Sequence, residues 1–268
     1  MPDEKASTSV MQIRAGGDGP EPKPWSPSLP LSRRSLIQHT NTTNTLHTNH
    51  VRTVLNRLFA AAAHDDENPQ WLPPDIPWET ATAQERADAS ESTYMPISRQ
   101  GGELLYILAR ARRPKTIVEF GTSYGISTIY LAAAVADNGT GHVVSTELNT
   151  AKAAAARANL VEASLADRVT ILPGDAMTTL NDLPGPIDLV LLDGWKDLCL
   201  ALLRSLEPRL AIGALVVADD IILPSLSGYL EYVRDPANGY VSVAFPVEDG
   251  MEISCWTSHG PADAEGAL

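Results

Sequence analysis

Three acids and a lysine, set at the ends of two apolar runs, have the types and spacing to do chemistry together. Ile187-Asp188-Leu189-Val190-Leu191-Leu192 leads into Asp193-Gly194-Trp195-Lys196, and Ala214-Leu215-Val216-Val217-Ala218 leads into Asp219-Asp220. Both runs read as buried strands. Neighbouring strands lie about 4.8 Å apart, so if these two pair, Asp193 and Asp219 bring carboxylate oxygens to one cation. Clustered carboxylates repel one another unless a cation sits among them. All-oxygen ligation by Asp193, Asp219 and Asp220 suits Mg2+ or another divalent cation. Asp219 and Asp220 would point to opposite faces of a regular strand, so for both to ligate, the chain must already be turning. Taken singly, each acid can instead cap a helix.

A second group surrounds a glycine turn. A β-branched run from Thr116 ends at Phe120, Gly121 and Gly125 punctuate the next five residues, and an apolar helix pattern begins near Ile126. This is a strand, a tight loop and a helix N-terminus. Glu119 is an acid where a buried strand should be apolar, and it needs a partner. The Gly-x-x-x-Gly spacing lacks the third glycine of the fingerprint that seats a dinucleotide pyrophosphate, which weighs against a nicotinamide dehydrogenase. Glu147 closes the next apolar run, where an acid can accept two hydrogen bonds from a ribose diol. After a third run, Gly174-Asp175-Ala176 offers a glycine that lets backbone pass close to a ligand and an acid that can meet an adenine amine.

These residues need a scaffold, and the order of elements supplies one. From Thr116 onward strands and helices alternate, which predicts a doubly wound α/β fold with a mostly parallel sheet covered on both faces. Strands are expected near 116–120, 142–146, 169–172, 187–192 and 214–218, with a closing pair near 240–245 and 252–257. Helices are expected near 126–136, 150–164, 176–181, 196–207 and 225–234. In such a sheet ligands bind beyond the carboxyl ends of the strands, where the acids lie.

Ahead of this core, residues 1–33 hold Pro20, Pro22, Pro24, Pro27 and Pro30 among glycines and charges, a composition expected to be a disordered tail. Residues 34–92 form a helical cap, carried by the stripe Val51, Val54, Leu55, Leu58 and Phe59. His39, His47 and His50 have no cysteine or carboxylate pattern to complete a zinc site and read as surface or capping residues. Trp71 and Trp78, in a proline-rich loop, read as anchors of the cap, with stacking on a substrate as the alternative. Ser98 is expected to cap the helix that holds Leu104 and Leu108. Residues 93–268 then make up the ligand-binding domain.

With 268 residues and 44% hydrophobic content the chain can bury one medium domain, and its net charge of −13 opposes contact with nucleic acid. No apolar run approaches the roughly 18 residues of a bilayer span. No signal-peptide pattern opens the chain, and Cys199 and Cys255 lie in apolar segments, so a reducing cytoplasm is the expectation. Oligomeric state is open, a homodimer included.

Glu-x-Gly-x-x-x-Gly at Glu119–Gly125 resembles the first motif of class I S-adenosylmethionine-dependent methyltransferases. With Leu192-Asp193-Gly194-Trp195-Lys196-Asp197 and Ala218-Asp219-Asp220-Ile221-Ile222-Leu223-Pro224, it resembles the metal-dependent catechol O-methyltransferase family over about residues 93–257. The resemblance implies a Rossmann-like methyltransferase fold of seven strands with a helical N-terminal extension. It implies S-adenosylmethionine contacts at Ile97, Glu119, Gly121, Ser127, Glu147, Leu148, Ala176 and Asp193. Met95, Thr122, Ser123, Gly174, Asp175 and Trp195 join the same site. Mg2+ is implied at Asp193, Asp219 and Asp220, with Lys196 as the base, its pKa depressed by burial and the cation. Two departures bear on the acceptor: Asp220 stands where the family usually has Asn, and Val243 and Ala244 stand where the catechol enzyme has a glutamate. A histidine of that enzyme is Gly194 here. A small hydroxylated acceptor other than catechol itself is expected. A hydroxylated tRNA base and a non-catalytic S-adenosylmethionine-binding module are the alternatives.

Overall fold

A computed structural model describes residues 44–67, 72–73 and 75–257. The expected tail, His39 and Trp71 lie outside these residues. Seven strands form one sheet: β1 Thr116–Phe120, β2 His142–Glu147, β3 Val169–Pro173, β4 Ile187–Leu192, β5 Leu210–Ala218, β6 Tyr240–Phe245 and β7 Met251–Trp256. Their order is β3-β2-β1-β4-β5-β7-β6. β1 to β5 pair in parallel, and β7 runs antiparallel to β5 and β6. The chain therefore winds outward from β1 to β3, then returns to lay β4 on the other side of β1. This reversal opens a crevice beyond the carboxyl ends of β1 and β4, where open α/β sheets bind ligands.

The helices are α1 Asn49–Ala62, α2 Ala83–Ala89, α3 Arg99–Arg112, α4 Ile126–Asn138, α5 Thr150–Glu162, α6 Ala176–Thr179, α7 Cys199–Leu206 and α8 Ser227–Arg234. α4 is buried on nearly every face because the sheet, α3 and α1 all pack against it, which explains why Ile126 to Val135 carry no charge. Val51, Val54, Leu55 and Leu58 of α1 are buried as their spacing predicts, and α1 lies against α4 and α5. Ser98 caps α3, its hydroxyl accepting the Gly101 N–H at 3.0 Å. A capping box of Thr82 and Glu85 starts α2. His47 and His50 are both exposed. Among the described residues no helix is long and apolar enough to cross a membrane.

Two elements differ from expectation. β5 begins at Leu210, four residues early, because it pairs with Ile187 across a register shift that Gly213, at φ 77°, accommodates. The segment after β4 is a 3-10 turn at Lys196–Leu198 before α7, so Lys196 does not sit at an α-helix N-terminus.

Candidate active site

A cavity of about 610 Å³ opens beyond the carboxyl ends of β1, β2, β4 and the loop after β5. Its floor is the glycine turn. Gly121 has φ 98°, and a Cβ there would fall 2.7 Å from the Asp193 backbone oxygen, so only glycine lets the loops after β1 and β4 cross. The Gly121 and Thr122 N–H groups donate to the Thr146 carbonyl, and Asp193 N–H donates to that of Phe120 at 2.9 Å. These bonds carry strand pairing past the strand ends and fix the cavity's rim.

Glu119 has its partners beneath this floor. Fully buried, it accepts the hydroxyls of Ser127 and Thr128 at 2.6 Å and of Ser145 at 2.5 Å. Burial raises its pKa to about 7, with the three hydroxyls opposing. The structure thus places Glu119 behind the cavity wall, where it ties β1, β2 and α4 together, and Ser127 stands between it and the cavity. Glu147 does face the cavity. Its carboxylate accepts Ser123 N–H at 2.7 Å and Asn149 N–H at 2.9 Å, which pins its direction and leaves lone pairs for a ligand. Leu148, Gly174, Asp175, Ala176, Trp195, Met95, Ile97, Gly121, Thr122 and Ser123 line the same cavity. Asp175 accepts Met177 N–H on one oxygen at 3.1 Å and the Thr178 hydroxyl on the other at 3.4 Å.

The other end of the cavity is charged. β4 and β5 are neighbours, and Asp219 N–H donates to the Leu192 carbonyl at 3.3 Å, so Asp193 and Asp219 do stand side by side. Asp220 follows at φ 56°, so the chain turns there as required for both acids to face one region. Lys196 Nζ lies 2.8 Å from Asp193 and 3.1 Å from Asp220. Burial raises the Asp219 carboxyl to about 8, helped by the nearby Asp193 and Asp220. Burial also raises Asp193, while Lys196 opposes it.

The chemistry of this donor set fits a hard divalent cation: three carboxylates face one ammonium, leaving surplus negative charge in a poorly solvated place. Their spacing does not yet make a cage. Among the described residues no three His, Cys, Asp or Glu side chains are grouped to hold an ion, and Lys196 bridges Asp193 and Asp220. Asp193, Asp220 and Lys196 line the cavity, whereas Asp219 lies just behind it. The lysine differs from its expected state. Burial alone would lower its pKa, but Asp193 and Asp220 outweigh burial and raise it, so Lys196 is held as an ammonium.

The cap contributes a wall that no sequence motif announces. Thr82, Arg86 and Ala87 of the α2 region line the cavity with Trp78. Trp78 meets the edge of Trp195 with ring centroids 5.7 Å apart, so it both anchors the cap and faces the cavity. Arg86 lies over Trp195 at 4.9 Å and pairs with Asp197 at 2.9 Å, binding α2 to the loop that carries Asp193 and Lys196. Phe120, Tyr124 and Lys152 also line the cavity. The Phe120 ring explains Gly194, where a Cβ would come within 2.6 Å of it.

Residues 118–221 match a family described as methyltransferase domain. The chain is 37% identical over 143 residues to the catechol O-methyltransferase of Mycobacterium tuberculosis, spanning 53% of this chain and 64% of that protein. It is 30% identical over 174 residues to catechol O-methyltransferase B of Danio rerio, spanning 60% of this chain and 65% of that protein. The chain thus spans slightly under two thirds of the length of these relatives. Among solved structures, cofactor-bound Rv0187 from MTB superposes with a TM-score of 0.58 at 26% identity, covering 78% of this chain and 90% of that one. The O-methyltransferase TomG from Streptomyces achromogenes, in complex with SAM, gives a TM-score of 0.60 at 24% identity, covering 76% and 90%. The fold is therefore the Rossmann-like fold of class I O-methyltransferases.

Proposed function

We propose that this chain, which carries a methyltransferase domain and is related to the catechol O-methyltransferases, transfers a methyl group from S-adenosylmethionine to a hydroxyl oxygen of a small vicinal-dihydroxy or phenolic acceptor. S-adenosylmethionine, when bound, supplies an electrophilic methyl group on its sulfonium. Glu147, held in direction by Ser123 and Asn149 N–H, would accept the ribose hydroxyls. Asp175, Ala176, Trp195, Met95, Ile97 and Ser127, which line the same cavity, would enclose the rest of the cofactor. Asp193, Asp219 and Asp220 would hold a divalent cation, whose Lewis acidity would ease loss of an acceptor proton. Lys196 is the residue placed to receive that proton. As held here it has no free lone pair, so the role requires Asp193 and Asp220 to be drawn to another charge.

The observation that carries this reading is that one cavity joins the ribose-type acid Glu147 to the Asp193, Lys196 and Asp220 group. Leu223, exposed and lining the cavity with Trp78, favours an acceptor with apolar substituents. The net charge of −13 favours a small molecule over tRNA. Incubation with methyl-labelled S-adenosylmethionine, Mg2+ and a panel of vicinal-dihydroxy and phenolic compounds tests it. O-methylated product is expected, and label that stays on S-adenosylmethionine with every acceptor would overturn the reading.

A further inference from the structure

The ribose side of the cavity holds a cation that the rest of the protein leaves unmatched. Lys152 lies in the first turn of α5, is 3% exposed and lines the cavity. Among the described residues its ammonium makes no hydrogen bond and no ion pair, and it stands 5.7 Å from the centroid of the Tyr124 ring. That ring is itself fixed, stacked on Tyr94 with centroids 4.0 Å apart. Glu147, Asp65 and Glu91 act on the lysine's charge only from beyond contact. Each of the first two is occupied: Glu147 by Ser123 and Asn149 N–H, Asp65 by Tyr94 and Met95 N–H. Glu91 accepts the Asn149 amide at 3.1 Å.

Burying an ammonium without a hydrogen-bond acceptor is costly, so a side chain this enclosed and turned toward a cavity points to an acceptor that arrives with a ligand. The ligand's chemistry follows from the neighbouring acid. A sugar hydroxyl both donates and accepts, and a carboxylate satisfies only its donor side. A donor placed beside Glu147 can satisfy the other. We propose that Lys152 is the second half of a ribose clamp, donating to an oxygen of the vicinal diol whose hydrogens Glu147 accepts. This rests on the S-adenosylmethionine reading and deepens it by assigning a binding residue to the diol.

Titration of S-adenosylhomocysteine and of its 2′,3′-dideoxy analogue into wild type and Lys152→Met tests the clamp. Loss of a charged hydrogen bond should weaken S-adenosylhomocysteine by about 10- to 100-fold. The dideoxy analogue should bind both proteins alike, and the ligand-free Lys152→Met protein should melt no lower than wild type. Lys152→Gln, which keeps an uncharged donor, should fall between and serves if the Met variant does not fold. Equal affinity of wild type and variant for S-adenosylhomocysteine would overturn the proposal. So would equal loss for both ligands, which would make Lys152 a structural cation. If wild type binds neither ligand, the cofactor reading fails and the clamp falls with it, an outcome distinct from failure of the clamp alone.

Discussion

At the β1 and β2 end of the cavity, Glu119 accepts three hydroxyls and Glu147 two backbone N–H groups. At the β4 and β5 end, Asp193 and Asp220 share the ammonium of Lys196, and Asp219 meets their charge without a cation of its own. The first end has Glu147 held in direction before any ligand arrives, with Glu119 tying the strands behind it, so little freedom is lost on binding. The second carries surplus negative charge in a buried place, the condition that a bound cation relieves. Cofactor binding and methyl transfer should therefore be separable by mutation.

The sharpest separation is expected at Lys196. Lys196→Met should lower turnover by about 10²–10⁴-fold, the range for losing a general base, while S-adenosylhomocysteine titrates as in wild type. A parallel fall in affinity would show that the two ends are not independent. Glu119 tests the preorganised end through pH. Its folded pKa of about 7 lies above its ordinary 4.5, so the folded state holds the proton more firmly. The stability this lends is complete below about pH 4.5 and is lost as pH rises through 7, a decline of about 3 kcal/mol. Denaturant melts of Glu119→Gln should lack that decline, and an identical pH profile in both proteins would remove Glu119 as its source.

Glu147→Ala should weaken S-adenosylhomocysteine by roughly 1.5–3 kcal/mol and leave the fold intact, since the residue ends a strand rather than filling the core. Unchanged affinity by calorimetry would take Glu147 out of the site. Asp219→Asn should have the smallest effect and the opposite sign on stability. Because burial holds Asp219 protonated at neutral pH although the unfolded chain ionises it, an amide that needs no proton on folding should stabilise the protein by roughly 1–2 kcal/mol there, read as a raised midpoint of unfolding. A lowered midpoint would mean that the carboxylate is needed for the fold itself.

The contrast between the two ends also marks what the sequence could and could not reveal. β1 and its turn were legible because an apolar run stops at two glycines, whereas the neighbouring of β4 and β5 entered only as a condition, which the strand order meets. The turn at Asp220 was required by side-chain alternation, and its φ of 56° agrees. Contacts between distant segments left no local trace. Lys196 reads as a helix start in sequence, yet it lies in a 3-10 turn whose charge state is set by Asp193 and by the distant Asp220. Arg86 and Trp78 belong to a polar helix and a proline-rich loop that nothing local aims at Trp195. Lys152 is one lysine in an alanine-rich helix, where solvent is the ordinary reading.

The central claim, that one end binds cofactor unaided while the other awaits a cation before transferring methyl, is tested most directly by one paired assay. Methyl transfer from labelled S-adenosylmethionine to a vicinal-dihydroxy aromatic is followed with Mg2+ and with chelator, and S-adenosylhomocysteine affinity is measured in both samples. Transfer that disappears in chelator while affinity stays constant is the expected result. Undiminished transfer in chelator would contradict the account.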